Sequence, residues 1–513
     1  MATRAVHGVR GPLGAVPLGD GLVGFRVWAP RARAVAVRLH GEVHALAEAE
    51  DGVFAGELPA QPGDDYLFVL DRGRELPDPC SRFQPDGVDG PSRVVDTQLF
   101  GWSDGGRRGL SLADLVLYEL HVGAFTPEGT LDAASARLLV LAELGVTAVE
   151  LMPVATFPGT RGWGYDVIYA SAVHPAYGGP EALARFVDAA HAAGLGVVLD
   201  VVYNHVGPGG AERLEPFGPY FTERHRTVWG PAIAYDVRGV REWAVQNAVM
   251  WVRDFHVDGL RLDATHAIVD EGPLHICAEL AERVREARPD TLVTSEMQTG
   301  DLRPIEQWGH DAQWADEFHH ELHVLLTGER EGYYAGYRGS VAELAQQYER
   351  IPPERLIFCS QNHDQVGNRA FGDRPRSEEL ALRAACLLFA PQTPLLFMGE
   401  EYGERRPFRY FTDHADPFVA DATREGRRQE FERFAAFAGE DVPDPQAAET
   451  FARSQLSWQG DEELRALYRR LLALRRRLPR EVEVETAGQG LLVRRGGADL
   501  RADFDRRTVE VRG

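Results

Sequence analysis

The sequence contains no lysine, so all 55 of its basic residues are arginine. This excludes any mechanism that passes through a lysine Schiff base. Positive charge is also in deficit, because 78 acidic residues bring the formal net charge to −23. A surface that acidic repels phosphate backbones and anionic lipids, so neither nucleic acid nor a membrane is expected as a partner. A neutral substrate such as a sugar is compatible with it.

Cysteine is scarce as well, and its four residues (Cys80, Cys277, Cys359 and Cys386) form no C-x-x-C pair. The spacing predicts neither a zinc site nor a disulfide framework, and free thiols are typical of a reducing cytosol. The chain also lacks an apolar run suited to a signal peptide or a transmembrane helix. We therefore expect a cytoplasmic protein.

The 513 residues are enough for two or three domains. Residues 1–100 carry short alternating runs separated by Gly and Pro, which predicts an N-terminal β-sandwich, immunoglobulin-like and similar to carbohydrate-binding modules. Trp28 is interpreted as a core residue of this sandwich, with sugar stacking as the alternative. Residues 479–513 return to alternation and predict a short C-terminal β domain that packs against the middle of the chain.

Residues 105–478 alternate short apolar strands with helical stretches, which favours a parallel sheet covered on both faces. Eight such units predict an α/β fold of the (β/α)8 barrel type. A doubly wound open sheet is the alternative, but no G-x-G-x-x-G opens the first helix. The last barrel helix is predicted over 463–478, with the arginines at 475–477 on a solvated face.

Several predicted strands end in acidic residues, and the carboxyl ends of barrel strands are where chemistry takes place. The third strand ends in Asp200, the fourth in Asp263 and the fifth in Glu296, while His363-Asp364 follows the seventh. A single acid at such a position could be a helix N-cap. Acids on three strands and after a fourth favour an active site.

Paired carboxyl groups are what cleavage of a glycosidic bond requires. One carboxylate attacks the anomeric carbon, and the other carboxyl group protonates the leaving oxygen. Arg261 lies two residues before Asp263, so the two side chains share a face of the strand. We expect Arg261 to keep Asp263 ionised, as a nucleophile must be.

Four segments resemble the signature regions of the α-amylase superfamily, glycoside hydrolase family 13. They are Asp200-Val-Val-Tyr-Asn-His205, Gly259-Leu-Arg-Leu-Asp263, Ser295-Glu296 and Asn362-His363-Asp364. The resemblance implies a retaining enzyme with Asp263 as nucleophile, Glu296 as general acid/base and Asp364 as transition-state stabiliser. It also implies sugar contacts from His205, Arg261 and His363, and from Tyr165 in Gly162-Trp-Gly-Tyr-Asp166.

A narrower resemblance is to the trehalohydrolase branch of this superfamily. It rests on Asp316-Glu-Phe-His-His320, Leu325-Leu-Thr-Gly-Glu-Arg-Glu-Gly-Tyr-Tyr334 and Tyr410-Phe-Thr-Asp-His414. It implies cleavage next to the terminal trehalose of maltooligosyl trehalose, with related α-1,4-glucans as further ligands and a synthase of the same pathway as functional partner. The trehalose-side contacts would come from Trp229, Asp316, Phe318, His319 and Tyr410. The sequence departs from the family's pattern directly after Glu296, where Met297 and Gln298 follow.

Three alternatives remain open on the sequence: a glucan-branching transferase with the same trio, a general α-amylase, and a non-catalytic glucan-binding protein. The intact trio argues against the last of these. No cofactor and no metal site are expected. Asn204 matches a position that binds calcium in many amylases, but calcium needs six to eight oxygen ligands. A hydrogen-bonding asparagine is the favoured interpretation.

Overall fold

A computed structural model describes residues 11–71, 73–105, 109–298, 300–432 and 442–513. The predicted fold class is confirmed: eight parallel strands close into a barrel, with antiparallel sheets before and after it. The three domain ranges, 1–100, 105–478 and 479–513, stay predictions. Residues 1–10, 106–108, 299 and 433–441 of those ranges, and residue 72, lie outside the described residues.

The N-terminal part forms two antiparallel sheets, with strand orders β1-β2-β6-β5 and β4-β3-β7-β8, and β9 pairs with β7. Alternate residues of β2 are buried, including Val23, Phe25 and Val27, as expected for a sheet with one face on a core. The strands are β1 (Gly14–Gly19), β2 (Leu22–Trp28), β3 (Val35–Leu39), β4 (Glu42–Ala45), β5 (Ala47–Glu48), β6 (Val53–Pro59), β7 (Asp65–Leu70), β8 (Arg74–Leu76) and β9 (Ser92–Arg93).

Trp28 joins the N-terminal sheets to the rest of the chain. Its indole is buried and lies edge-on to Tyr220, with 5.5 Å between ring centroids. A Cβ atom added at Gly218 or at Gly239 would overlap the indole, so both positions need glycine to let the backbone approach the ring. Trp28 is therefore a packing residue and is not available to stack on a sugar.

The barrel strands are short and buried along their whole length. Strand β10 pairs with β11 on one side and with β21 on the other, which closes the barrel. In order round the barrel the strands are β10 (Leu117–Leu120), β11 (Ala148–Leu151), β14 (Gly196–Val201), β17 (Gly259–Leu262), β18 (Leu292–Ser295), β19 (Ala312–Trp314), β20 (Leu356–Cys359) and β21 (Thr393–Phe397).

Two small antiparallel pairs project from the loops after the second and third barrel strands. They are β12 (Ala155–Thr156) with β13 (Tyr169–Val173), and β15 (Phe221–Thr227) with β16 (Gly230–Ile233). The first carries the loop that contains Tyr165, and the second carries Trp229 at its turn.

Helices connect the barrel strands. Between the first two of these strands, residues 131–144 form two short helices. The helices are α1 (Val122–Phe125), α2 (Leu131–Ser135), α3 (Leu138–Leu144), α4 (Gly179–Ala192), α5 (Gly210–Leu214), α6 (Arg238–Asp254), α7 (Ile276–Ala287), α8 (Arg303–Glu306), α9 (Glu317–Thr327), α10 (Val341–Tyr348), α11 (His363–Gly367), α12 (Ser377–Phe389), α13 (Pro417–Glu432), α14 (Ala448–Ser454) and α15 (Glu462–Arg475). Within the described ranges, no helix combines the length and the hydropathy needed to cross a membrane.

The C-terminal residues form a four-stranded antiparallel sheet of β22 (Glu483–Ala487), β23 (Gly490–Arg495), β24 (Ala498–Asp503) and β25 (Thr508–Arg512). Two buried arginines attach this part of the chain to the segment between α12 and β21. Arg495 donates to the carbonyls of Phe389 (2.8 Å), Ala390 (2.9 Å) and Pro479 (2.7 Å). Arg475 donates to the carbonyls of Ala390 and Gln392.

The prediction that Arg475 lies on a solvated helix face is therefore wrong. Its side chain is 9% exposed and turned toward backbone carbonyls that end α12. Helix C-terminal carbonyls lack partners within the helix, and a guanidinium can supply several donors at once. That pairing depends on a segment more than 80 residues away in sequence.

Replacing Arg495 with methionine should weaken the attachment of the C-terminal sheet. Methionine keeps the aliphatic stem but leaves buried carbonyls without donors, at a cost of about 2–4 kcal/mol. The midpoint of urea unfolding, followed by tryptophan fluorescence, should fall accordingly. Arg494→Met on the opposite face of the same strand is the control, since the pairs that Arg494 makes with Glu485 and Glu483 lie at the surface. Equal midpoints for the two variants would contradict the assignment.

Candidate active site

Asp200, Asp263 and Glu296 come together at the carboxyl ends of β14, β17 and β18. Asp200 is in β14, and the other two acids directly follow their strands. Neighbouring parallel strands are in contact, so acids at their ends lie side by side. The strand register places Asp200 opposite Arg261, the third residue of β17.

The guanidinium of Arg261 lies at the centre of the site and is fully buried. Its Nη1 donates to Asp200 Oδ2 at 2.6 Å and to Asp263 Oδ1 at 3.0 Å, while its Nη2 donates to Glu296 Oε2 at 2.7 Å. The ring of Trp314 covers one face of the guanidinium, with its centroid 4.1 Å from Arg261 Cζ. One cation thus holds three carboxyl groups in fixed relative positions.

Burial is the largest influence on the pKa values of Asp200 and Asp263, which lie beside Arg261. It raises the pKa of Asp263 to about 6, even though the charge of Arg261 lowers it. Burial raises the pKa of Asp200 to about 6 against the same opposing charge. Both groups are therefore ionised at neutral pH and take up protons in mild acid. The expectation that Arg261 keeps Asp263 ionised holds only above that range.

A chain of side chains from the end of β14 orients Asp263. Asn204 Nδ2 donates to Asp263 Oδ2 at 2.8 Å, and Asn204 Oδ1 lies 2.5 Å from His205 Nδ1. Burial lowers the pKa of His205 to about 4, so the imidazole is neutral and its Nδ1–H can donate to Asn204. The ring of Trp229 stacks on His205 at 4.5 Å. Asn204 is thus an orienting residue, a role that the sequence analysis missed.

No group of three or more His, Cys, Asp or Glu side chains that could hold a metal ion occurs in the parts of the chain that the structure describes. Asn204 itself is committed to Asp263 and His205 through both ends of its amide. Its position after Tyr203, at the end of the strand that carries Asp200, was the available signal for a role in the site.

Glu296 is more open than Asp263. Its side chain is 21% exposed against 10% for Asp263. Besides Arg261, Glu296 Oε2 accepts the backbone N–H of Ala264 at 3.1 Å. Ala264 has a positive φ of 38°, a left-handed conformation that is strained for alanine. Glu296 is therefore anchored through one oxygen.

Asp364 lies at the start of α11, next to His363. Its Oδ1 accepts from Asn368 Nδ2 at 2.9 Å, its Oδ2 lies 3.3 Å from His363 Nε2, and its side chain is 34% exposed. Tyr165 stacks on His363 at 5.1 Å and donates its hydroxyl proton to Asp200 at 2.7 Å. The structure thus brings Tyr165 and His363 to the carboxylates.

Asp316 also belongs to this region. Burial, together with the negative charges of Glu296 and Asp364, raises its pKa to about 8. A carboxyl group that stays protonated at neutral pH can donate a hydrogen bond to a sugar oxygen.

Two other residues predicted to contact sugar, Trp229 and Tyr410, lie at the edge of the site. Trp229 is 47% exposed beside His205. Tyr410 packs edge-on against Trp163 at 5.2 Å, and Trp163 in turn packs edge-on against His363 at 5.5 Å.

Phe318 and His319 are not brought to the carboxylates. Phe318 is fully buried and stacks on Phe358 at 4.6 Å, so its assignment as a sugar contact is corrected to a core residue. His319 is 3% exposed, lies 5.4 Å from His323 in a parallel ring arrangement, and lines a separate cavity of about 630 Å³. Both residues lie on α9, whose apolar positions pack inward. The motif alone did not reveal which of its side chains face the core and which face the sugar site.

Comparison with known proteins places this geometry in a family. The sequence model of the alpha amylase catalytic domain matches residues 90–212. A crystal structure described as that of a candidate alpha amylase from Salmonella typhimurium superposes with a TM-score of 0.87 at 40% identity, covering 95% of this chain and 92% of that one. A type I pullulanase from Bacillus subtilis shares the fold at a TM-score of 0.73 and 21% identity, over 96% and 77% of the two chains.

Two relatives that are similar over most of their length share one name. The malto-oligosyltrehalose trehalohydrolase of Deinococcus radiodurans is 46% identical over 92% of this chain and 84% of its own length. That of Saccharolobus solfataricus is 39% identical over 96% and 92%. With the barrel, the Arg261 cluster and this similarity together, the chain belongs to the malto-oligosyltrehalose trehalohydrolase family of the α-amylase superfamily.

Proposed function

We propose that the protein hydrolyses the α-1,4-glucosidic bond next to the terminal trehalose of maltooligosyl trehalose, with retention of configuration, and releases trehalose. The observation that carries the chemistry is that Arg261 holds Asp263 and Glu296 through its two Nη atoms. The observation that carries the substrate is the similarity to the named relatives over nearly the whole chain.

Asp263 is the nucleophile of the proposed mechanism. Its carboxylate is buried, ionised at neutral pH, and oriented by Asn204 and Arg261. It attacks the anomeric carbon and forms a covalent glycosyl ester, while the leaving sugar oxygen takes a proton. A carboxylate with few partners and little water around it is a stronger nucleophile than a solvated one.

Glu296 is the general acid and then the general base. It is the more exposed of the two carboxyl groups, as a group that must exchange protons with the leaving sugar and with water should be. The same residue that protonates the leaving oxygen then removes a proton from the attacking water. Asp364, 34% exposed at the start of α11, stabilises the positive charge that develops on the sugar ring.

The sugar site around the trio consists of Tyr165, His205, Arg261 and His363. Tyr165 and His363 are hydrogen-bonded to each other at 2.8 Å and present one rigid surface. The side chains assigned to the trehalose side are Trp229, Asp316 and Tyr410. In this proposal a protonated Asp316 donates a hydrogen bond to a sugar oxygen, and the Trp229 ring stacks on a sugar ring. A sugar in the wrong position would leave the buried polar group without a partner.

The proposal includes no metal and no cofactor, because the carboxyl groups supply both the nucleophile and the proton. It also includes a cytoplasmic location and a pathway in which a synthase makes the non-reducing substrate. A relative at 34% identity, a glucan branching enzyme from Nitratidesulfovibrio vulgaris, aligns with only 50% of this chain and 46% of its own length. Transfer to a sugar acceptor is therefore the outcome that the tests below must exclude.

The ionisation of Asp263 and Asp200 should limit activity in acid. Asp263 must be charged to attack the sugar, so kcat/KM should fall as pH drops below about 6. Asp200 and Asp263 are coupled through Arg261, so the acid limb of the kcat/KM profile reports the ionisation of the pair and not of one residue. Asp200→Asn removes a negative charge that raises the pKa of Asp263, and should move the limb to lower pH. A flat profile down to pH 4.5 in folded enzyme would contradict this assignment.

Changing Glu296 to glutamine should separate the two chemical steps. Glutamine keeps the shape but cannot give a proton, so turnover of maltooligosyl trehalose should fall by about 10²- to 10⁴-fold. Maltosyl fluoride loses fluoride without protonation, so the first step, formation of the glycosyl enzyme, still proceeds. Hydrolysis of the glycosyl enzyme is slow, because the variant lacks the base that activates water. Glycosyl enzyme should therefore accumulate, and mass spectrometry of a digest should find the sugar on Asp263. A label on another carboxylate would overturn the assignment of the nucleophile.

Product analysis tests the substrate. The protein should release trehalose from maltotriosyl trehalose far faster than it shortens maltopentaose, because the bent trehalose unit pairs the polar groups of its site and a linear maltose unit does not. Comparable rates would indicate a general α-amylase. New branch points in amylose with little hydrolysis would indicate a transferase.

A further inference from the structure

Glu119 lies on the first barrel strand, far in sequence from the four motifs, and is 1% exposed. Both its oxygens bind the same residue. Glu119 Oε1 is 2.5 Å from His363 Nδ1, and Glu119 Oε2 accepts the backbone N–H of His363 at 2.9 Å. The carboxyl group therefore holds the side chain and the main chain of His363 together.

The other ring nitrogen of His363 continues the chain of hydrogen bonds. His363 Nε2 lies 2.8 Å from the hydroxyl of Tyr165, which lies 2.7 Å from Asp200 Oδ2. Asp200 Oδ2 also accepts from Arg261 at 2.6 Å. The connection runs from Glu119 on β10 through α11 and the Tyr165 loop to β14 and β17.

The protons of this chain can be assigned by counting donors. Tyr165 has a single hydroxyl proton, and at neutral pH the ionised Asp200 accepts it. The contact between Tyr165 and His363 then needs a proton on Nε2. The 2.5 Å contact between Glu119 Oε1 and Nδ1 needs another proton, which lies on Nδ1 because an imidazole is a stronger base than a carboxylate. His363 must therefore carry both protons, and its ring is a cation.

The charges around His363 agree with this assignment. Burial alone would lower its pKa, but the negative charges of Asp364 and Glu119 raise it to about 10. Arg261 opposes that rise. Among the described residues, the titratable groups that also interact with His363 include His121, Glu150, Tyr165 and Asp200.

We propose that Glu119 is a positioning residue that keeps His363 as a doubly protonated, fixed imidazolium, and that this cation orders Tyr165 and Asp200 and lies against Asp364. A fixed cation beside the sugar site need not reorganise during the reaction, and its Nε2 lies 3.3 Å from Asp364 Oδ2. What this does for turnover rests on the proposed function, but the protonation state of His363 does not.

The barrel supplies a matched control for Glu119. Glu150 is the residue paired with Glu119 on the adjacent strand β11, and it is equally buried. Neither of its oxygens has a hydrogen-bond partner among the described residues. Burial and the charge of Glu119 raise its pKa well above the usual range, which favours the neutral form. Glu150→Gln removes no hydrogen bond, whereas Glu119→Gln removes the carboxyl oxygen that lies 2.5 Å from His363 Nδ1 or the one that accepts its backbone N–H.

The direct test is nuclear magnetic resonance of protein labelled with ¹⁵N-histidine, without substrate. The signals of His363 are identified by their loss in His363→Gln. In the wild-type protein and in Glu150→Gln, both nitrogens of His363 should stay protonated at pH 8. In Glu119→Gln, His363 should titrate near the ordinary value of about 6.5. A neutral His363 in wild-type protein at pH 8 overturns the proposal even if the Glu119 variant does not fold.

Kinetics provides the second readout. At pH 8, Glu119→Gln should lower kcat by about 10²-fold, through misplacement and lost charge, and should regain activity as the pH falls toward 6. Glu119→Asp should restore the imidazolium and part of the activity. Glu150→Gln should leave the pH profile unchanged. Loss of kcat at every pH in Glu119→Gln, with His363 still protonated at pH 8, would show a merely structural role and contradict the proposal.

Discussion

The buried guanidinium of Arg261 is the interaction on which the site depends. It contacts Asp200, Asp263 and Glu296, which lie on three neighbouring strands. Three carboxyl groups this close would repel one another and bind protons in a buried setting. A lysine could not replace Arg261, because its ammonium group cannot present two planar donors on separate nitrogens. The cation is therefore what allows a nucleophile and a proton donor to coexist.

The barrel makes this arrangement rigid. Arg261 is enclosed by the strands and covered by Trp314, while Asn204, Tyr165 and His363 extend the network to other strands and loops. Each polar group is fixed by a partner from a different part of the chain, so none can reorient alone. Such preorganisation is the main physical source of catalytic power that a protein can provide, because no dipole must reorganise as charge develops.

Close packing and the pairing of buried polar groups also stabilise the parts of the structure that lie away from the active site. Trp28 fits against glycines of the barrel segment, and Arg495 satisfies carbonyls at the end of α12. Both tie antiparallel sheets at the two ends of the chain to the central barrel. A buried arginine is tolerated at such a joint because the carbonyls it meets lack donors of their own.

The sequence by itself determined the eight strands, the acids at their ends and the family, because short buried strands and adjacent motif residues are local patterns. Tertiary structure alone decided which distant groups meet. It placed Phe318 in the core, turned Arg475 inward, and brought Glu119 to His363 across 244 positions of sequence. It also set the pKa of Asp263 at about 6, because burial disfavours the charge more strongly than the partner Arg261 favours it. Desolvation and long-range pairing depend on every neighbour in space, and no local pattern records them.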